Sequence, residues 1–181
     1  MERRELIIYQ TRKWITDVVA GCNFCPFAAK ELKLNTIHFQ VEMDTHAETA
    51  LKSFLQECIR LDEDKNIETI LLIFPESFGD FDTYLNLAEL AELLLEQEGY
   101  EGIYQVASFH PLYCFAGESP EDPANYTNRS PYPMLHLLRE ESVERALLHF
   151  PNPENIPDRN IQFAREKGEA YMKLLRNTCF S

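Results

Sequence analysis

The chain has 181 residues, 45% of them hydrophobic, and 17 basic against 30 acidic side chains leave a net charge of −13. That size fits one domain with a core of its own, so folding requires neither disulfides nor a structural metal. The acidity excludes a broad nucleic-acid-binding or anionic-membrane face, because phosphates are repelled within the Debye length, yet it leaves room for a local cationic pocket.

No apolar run is long enough to cross a bilayer, and residues 1–14 carry charges where a signal peptide would be apolar. Cys22, Cys25, Cys58, Cys114 and Cys179 are odd in number and irregularly spaced. The expectation is a cytoplasmic protein with reduced thiols.

Residues 5–20 predict a helix with Ile7, Trp14, Ile15 and Val18 on one face, closed by Gly21 as a C′ residue. Pro26 reads as the first position of a short second helix ending near Leu34. Residues 36–43 alternate: Ile37, Phe39, Val41 and Met43 face inward, and the other face is wet. Thr45 and Glu48 have capping-box spacing ahead of a helix through Phe54 and Cys58. Residues 69–74 are apolar beyond the leading Thr69, as in a buried central strand.

Gly79-Asp80 opens a helix that ends near Gly99, and residues 103–109 form a third strand. Residues 112–116 suggest a short extra strand. A polar loop follows up to Arg129, and loops of that length are commonly functional. Helices over 131–150 and 158–176 close the chain. The fold class is therefore expected to be α/β, with α+β as the alternative: a small, mostly parallel sheet of three to four strands with helices packed on it. Its parts are an N-terminal helix and Cys turn (1–35), a β-α-β-α-β core (36–116), the loop (117–129) and a C-terminal helical pair (130–181).

Four places along this chain can carry chemistry. Cys25, as the N-cap residue before Pro26, would face unpaired N–H groups that favour its thiolate; as a plain apolar filler it would do nothing. Cys22 and Cys25 form a C-x-x-C pair that follows a helix rather than a strand, unlike a thiol oxidoreductase, and zinc would need His110 and Cys114 as a second pair. His110 lies just beyond the third strand, at the sheet edge where ligands bind, and serves there as acid or base or merely bonds a strand-end carbonyl. Asn128-Arg129-Ser130-Pro131 reads as a helix start beside a guanidinium, hence an anion site, with His136 and Arg139 in the first turns; ordinary capping is the alternative.

The same residues carry a resemblance. Asn23-Phe24-Cys25-Pro26-Phe27-Ala28, Gln105-Val106-Ala107-Ser108-Phe109-His110-Pro111, Asn128-Arg129-Ser130-Pro131-Tyr132-Pro133 and His136-Leu137-Leu138-Arg139-Glu140 resemble domain-of-unknown-function family 1415, a group of bacterial and plastid proteins. The resemblance spans about residues 11–163. It implies shared ancestry and a shared site, and it brings no activity. It also implies that many members lack a cysteine at positions 22 and 114, which favours Cys25 with His110 over any set that needs the other two thiols.

Three functions follow as expectations. The first is an enzyme acting on a small anionic substrate. Cys25 would be nucleophile or redox thiol, His110 the base and His136 a second proton carrier. Asn23, Asn128, Arg129, Ser130 and Arg139 would hold the anion. The second is a metal-binding protein, for zinc or another transition metal, using Cys25 and His110 with some of Cys22, Cys114 and His136. The third is a non-catalytic protein-binding module built on the polar loop around Glu121 and Asp122. No oligomeric state is predicted.

Overall fold

Alternation along four strands divides the buried apolar side chains between two faces of one sheet. In the computed structural model, which describes residues 2–181, β1 (Ile37–Val41), β2 (Thr69–Ile73), β3 (Tyr104–Phe109) and β4 (Met134–Arg139) lie in the order β1-β2-β4-β3. β1 and β2 pair in parallel, whereas β4 runs antiparallel to both β2 and β3. The three strands predicted from the sequence thus share one direction, as crossover helices require. The sheet as a whole is mixed, because β4 fills the slot between β2 and β3.

β4 is the largest departure from expectation, since residues 131–150 read as one helix. Met134-Leu135-His136-Leu137-Leu138 is nearly continuous in apolar character, and in a strand buried on both faces such a run has no period that separates it from a helix. Leu135 and Leu137 enter the core on one face and Met134 enters the core on the other. Pro131 and Pro133 press Ser130 and Tyr132 towards extended backbone. The helix begins only afterwards, as α5 (Glu140–Leu147) with Arg139 as N-cap. The expected C-terminal helical pair becomes a strand and three helices, since α6 (Ile156–Lys167) and α7 (Glu169–Asn177) break apart at Gly168, φ 81°.

One face of the sheet is covered by α1 (Arg3–Trp14), its π-helical continuation Ile15–Ala20 and α2 (Ala28–Leu34), with α6 and α7 contributing Ala164 and Met172. The other is covered by α3 (Ala47–Glu63) and α4 (Phe81–Gln97) through Phe54, Cys58, Leu61, Tyr84, Leu87 and Ala91. Helices on both faces of the sheet define an α/β layer architecture.

Several local expectations change. The outer face of β1 is half-buried rather than fully wet: His38 meets Glu57 of α3, Nε2 to Oε2 3.6 Å. His46, not Thr45, occupies the N-cap of α3, and Asp44 accepts its N–H at 2.8 Å. Gly21 has φ −61° and is no left-handed cap; a Cβ there would lie 2.2 Å from the Asp17 carbonyl oxygen, so the π-turn packs too tightly for any other residue. No strand forms over 112–116. The polar loop holds a 3₁₀ helix, Pro123–Thr127, anchored by the fully buried Asn125, whose amide accepts from Phe115 N–H (2.9 Å) and donates to the Ser119 carbonyl (2.9 Å). Cys179 is buried. Among the described residues no helix is long and apolar enough to cross a membrane.

Candidate functional site

The π-helix delivers the chain into the Cys turn. Phe24 N–H reaches back to the Val19 carbonyl at 2.8 Å, and Asn23 takes the left-handed conformation, φ 56°, that turns the backbone. α2 then starts at Ala28 with Phe27 at its cap, two residues later than Pro26 predicts, so Cys25 is not the formal N-cap. The sulfur nevertheless meets cap-like donors. Burial is the larger influence and raises the thiol's pKa, while the N–H groups of Phe27 and Ala28 act against it. At neutral pH Cys25 is a protonated, half-buried thiol.

Two hollows meet at this residue. An outer cleft of about 320 Å³ is walled by Phe24, Cys25, Phe115, Asn128, Ile156 and Asn160. An inner cavity of about 60 Å³ is walled by Trp14, Cys25, Phe27, Thr69, Phe109 and His136. Cys25, Phe109 and Val19 line both, so they form the partition. No residue lining the inner cavity carries a fixed charge.

His136 is brought there by β4, between Leu71 of β2 and Ala107 of β3. The ring keeps some accessible surface, consistent with its place on the cavity wall, and burial alone holds its pKa down to about 4. Its tautomer follows from Thr69. The Thr69 hydroxyl lies 2.7 Å from the Leu137 carbonyl oxygen and 2.7 Å from His136 Nε2. A carbonyl can only accept, so the single hydroxyl proton belongs to that bond. Nε2 must then donate to Thr69 Oγ1, which leaves the lone pair of a neutral imidazole on Nδ1. Nδ1 has no hydrogen-bond partner among the described residues. Thr69 escapes the sequence reading, although a threonine heading an aliphatic central strand needs a buried partner.

The other expected residues lie elsewhere or are occupied. His110 is fully buried, but its Nε2 donates to the Phe78 carbonyl (2.8 Å) and its Nδ1 accepts from Leu112 N–H (3.0 Å). It packs on Phe81 and Tyr84 and lines neither hollow. Of the two histidines expected near Cys25, the one that lines a cavity with it is His136. Arg129 donates to the carbonyls of Tyr113 (3.0 Å) and Pro120 (2.7 Å) and lies over Tyr126, so it holds the loop. Ser130 donates to the Tyr132 carbonyl at 2.6 Å. The expected anion site at residues 129–130 required a helix start that β4 removes. Arg139 closes the end of α3 through the carbonyls of Ile67 (3.1 Å) and Asp64 (3.2 Å). Asn128 remains on the outer cleft, and Asn23 opens onto a separate groove.

The expected metal set is also not formed. Cys114 Sγ lies against the carbonyls of Phe115 and Glu118, burial pushes the Cys22 thiol up, and no group of three His, Cys, Asp or Glu side chains among the described residues is placed to hold a metal ion.

Fold and site together define a mixed-sheet α/β protein with a half-buried thiol and a neutral imidazole lining one cavity. The family model for a protein of unknown function, DUF1415, matches residues 6–174, and the chain belongs to that family. No curated protein and no solved structure matches the chain.

Proposed function

We propose that the protein is an enzyme in which Cys25 attacks a small substrate and His136 accepts the thiol proton at Nδ1. One observation carries this reading: Cys25 stands in the wall between an open cleft and the cavity that holds His136. Burial penalises thiolate and imidazolium separately. Moving the proton between them creates both charges at once, however, and their attraction in a cavity walled mostly by apolar side chains offsets part of that penalty. The absence of fixed charge on the cavity wall favours a substrate whose reacting end is uncharged. Five free cysteines support a cytoplasmic setting.

p-Nitrophenyl acetate is a direct probe. Attack by Cys25 sulfur on the acetyl carbon forms a thioester, p-nitrophenolate leaves, and the thiol proton passes to His136. Intact-protein and peptide mass spectrometry should find the acetyl group on Cys25. His136→Gln, which keeps a polar side chain and removes the base, should slow acylation by about 10²-fold, the scale of general-base catalysis. Acylation of Cys22 or Cys114 in preference to Cys25, or an unchanged rate in His136→Gln, contradicts the reading.

A further inference from the structure

Lys30, Arg145 and His149 line one groove of about 480 Å³ together with Asn23, Pro26 and Phe150, and no carboxylate lines it. In a chain of net charge −13 this is a local reversal of sign. We propose that this groove binds the oxyanion head, phosphate or carboxylate, of an elongated substrate whose other end reaches Cys25. The proposal rests on the thiol reading above and adds the substrate class.

The cations are available. Arg145 meets Glu141 at 2.8 Å and Glu68 at 3.8 Å, and Lys30 meets Glu31 at 3.4 Å. Arg145 and Glu141 are largely exposed, and such a pair holds weakly, about 0–1 kcal/mol; the Lys30 ammonium is exposed as well, although its partner Glu31 is buried. A guanidinium fork on a phosphate is the stronger arrangement. The Arg145 carbonyl, which would repel an anion, accepts from His149 Nδ1 at 3.0 Å. That bond puts a proton on Nδ1, so Nε2 donates to an oxyanion when the ring is protonated.

Further hollows lie side by side between the groove and the thiol. Phe150 walls both the groove and an adjoining hollow of about 340 Å³, Ile156 walls that hollow and the Cys25 cleft, and Cys25 walls the cleft and the inner cavity. Arg159 borders the middle hollow, with its guanidinium 5.5 Å from the Phe150 ring centroid and a hydrogen bond to the Asn23 carbonyl. The line of hollows therefore runs from cations, past Phe150, Ile156 and Phe24, to a thiol beside a neutral base. The matching ligand has an anionic head, an apolar body and an uncharged reactive end.

Two probes test the two halves. Inorganic phosphate, titrated calorimetrically at low salt, should bind the wild-type chain and lose about tenfold or more in affinity with the exposed double change Lys30→Gln, Arg145→Gln. Octyl phosphate should slow alkylation of Cys25 by iodoacetamide by at least about tenfold, whereas inorganic phosphate should leave that rate unchanged. Equal phosphate affinity in wild type and double variant overturns the anion site. An alkylation rate unmoved by octyl phosphate overturns the connection to Cys25. Phosphate binding does not involve the thiol, so failure of the groove and failure of Cys25 acylation remain distinct results.

Discussion

Trp14→Ala is expected to destabilise the fold by about 3–5 kcal/mol, the usual loss for a buried tryptophan. Trp14 is 1% exposed and meets Phe109 edge-on, centroids 5.2 Å apart. Its Nε1–H donates to the Arg129 carbonyl at 3.1 Å, so truncation opens a void beside the Cys25–His136 cavity and orphans a carbonyl that ties the loop to α1. Against a total stability of about 5–15 kcal/mol, that is a large share. Denaturant unfolding followed by circular dichroism measures it; fluorescence cannot, because Trp14 is the sole tryptophan. Trp14→Phe retains an aromatic ring and should lose less. A change below about 1 kcal/mol in the alanine variant contradicts the packing described for this face of the sheet.

The second large effect is acid sensitivity centred on His136. Burial holds the folded ring at about 4 against an ordinary 6.5. The unfolded chain therefore binds a proton that the native chain refuses as pH falls through this window. Stability is complete above 6.5, declines between 6.5 and 4, and levels off below. The gap corresponds to about 3 kcal/mol, at about 1.4 kcal/mol for each tenfold in proton affinity. His110 and His38 are also lowered by burial and act in the same direction. His136→Gln isolates the share of one ring: unfolding free energies at neutral pH and near pH 4 should differ less in the variant, by about 3 kcal/mol. Identical pH dependence in both proteins would show that burial does not hold the His136 pKa down.

Much of the scaffold is legible in the residues because local and tertiary signals agree. The 69–74 run, the alternation of β1 and the Asp80 cap of α4, which accepts Thr83 N–H at 2.8 Å, each have one reading. β4 does not. Its neighbours on both sides supply the burial that makes it a strand, and that information lies in β2 and β3, distant in sequence. Only Pro131 and Pro133 hinted at extended chain, and the same prolines fit a helix start equally well. The anion site at Arg129 and Ser130 fell with that helix. The candidate site is legible in part for the same reason. Cys25 and His136 are visible as chemical groups, and Cys25 is placed by a local turn. His136 reaches the cavity only through long-range pairing. For His110 the strand-end position was readable, whereas its engagement by Phe78 and Leu112 depends on how the chain returns past it.

Cys25 shares its cavity with His136 and not with His110. Alkylation of Cys25 with iodoacetamide in a chain carrying ¹⁵N-labelled histidine distinguishes the two rings. The ring resonances of His136 should shift, starting from a neutral Nε2–H tautomer, and those of His110 should stay in place. A shift at His110 with His136 unmoved would rule out the shared cavity and restore the pair expected from the sequence.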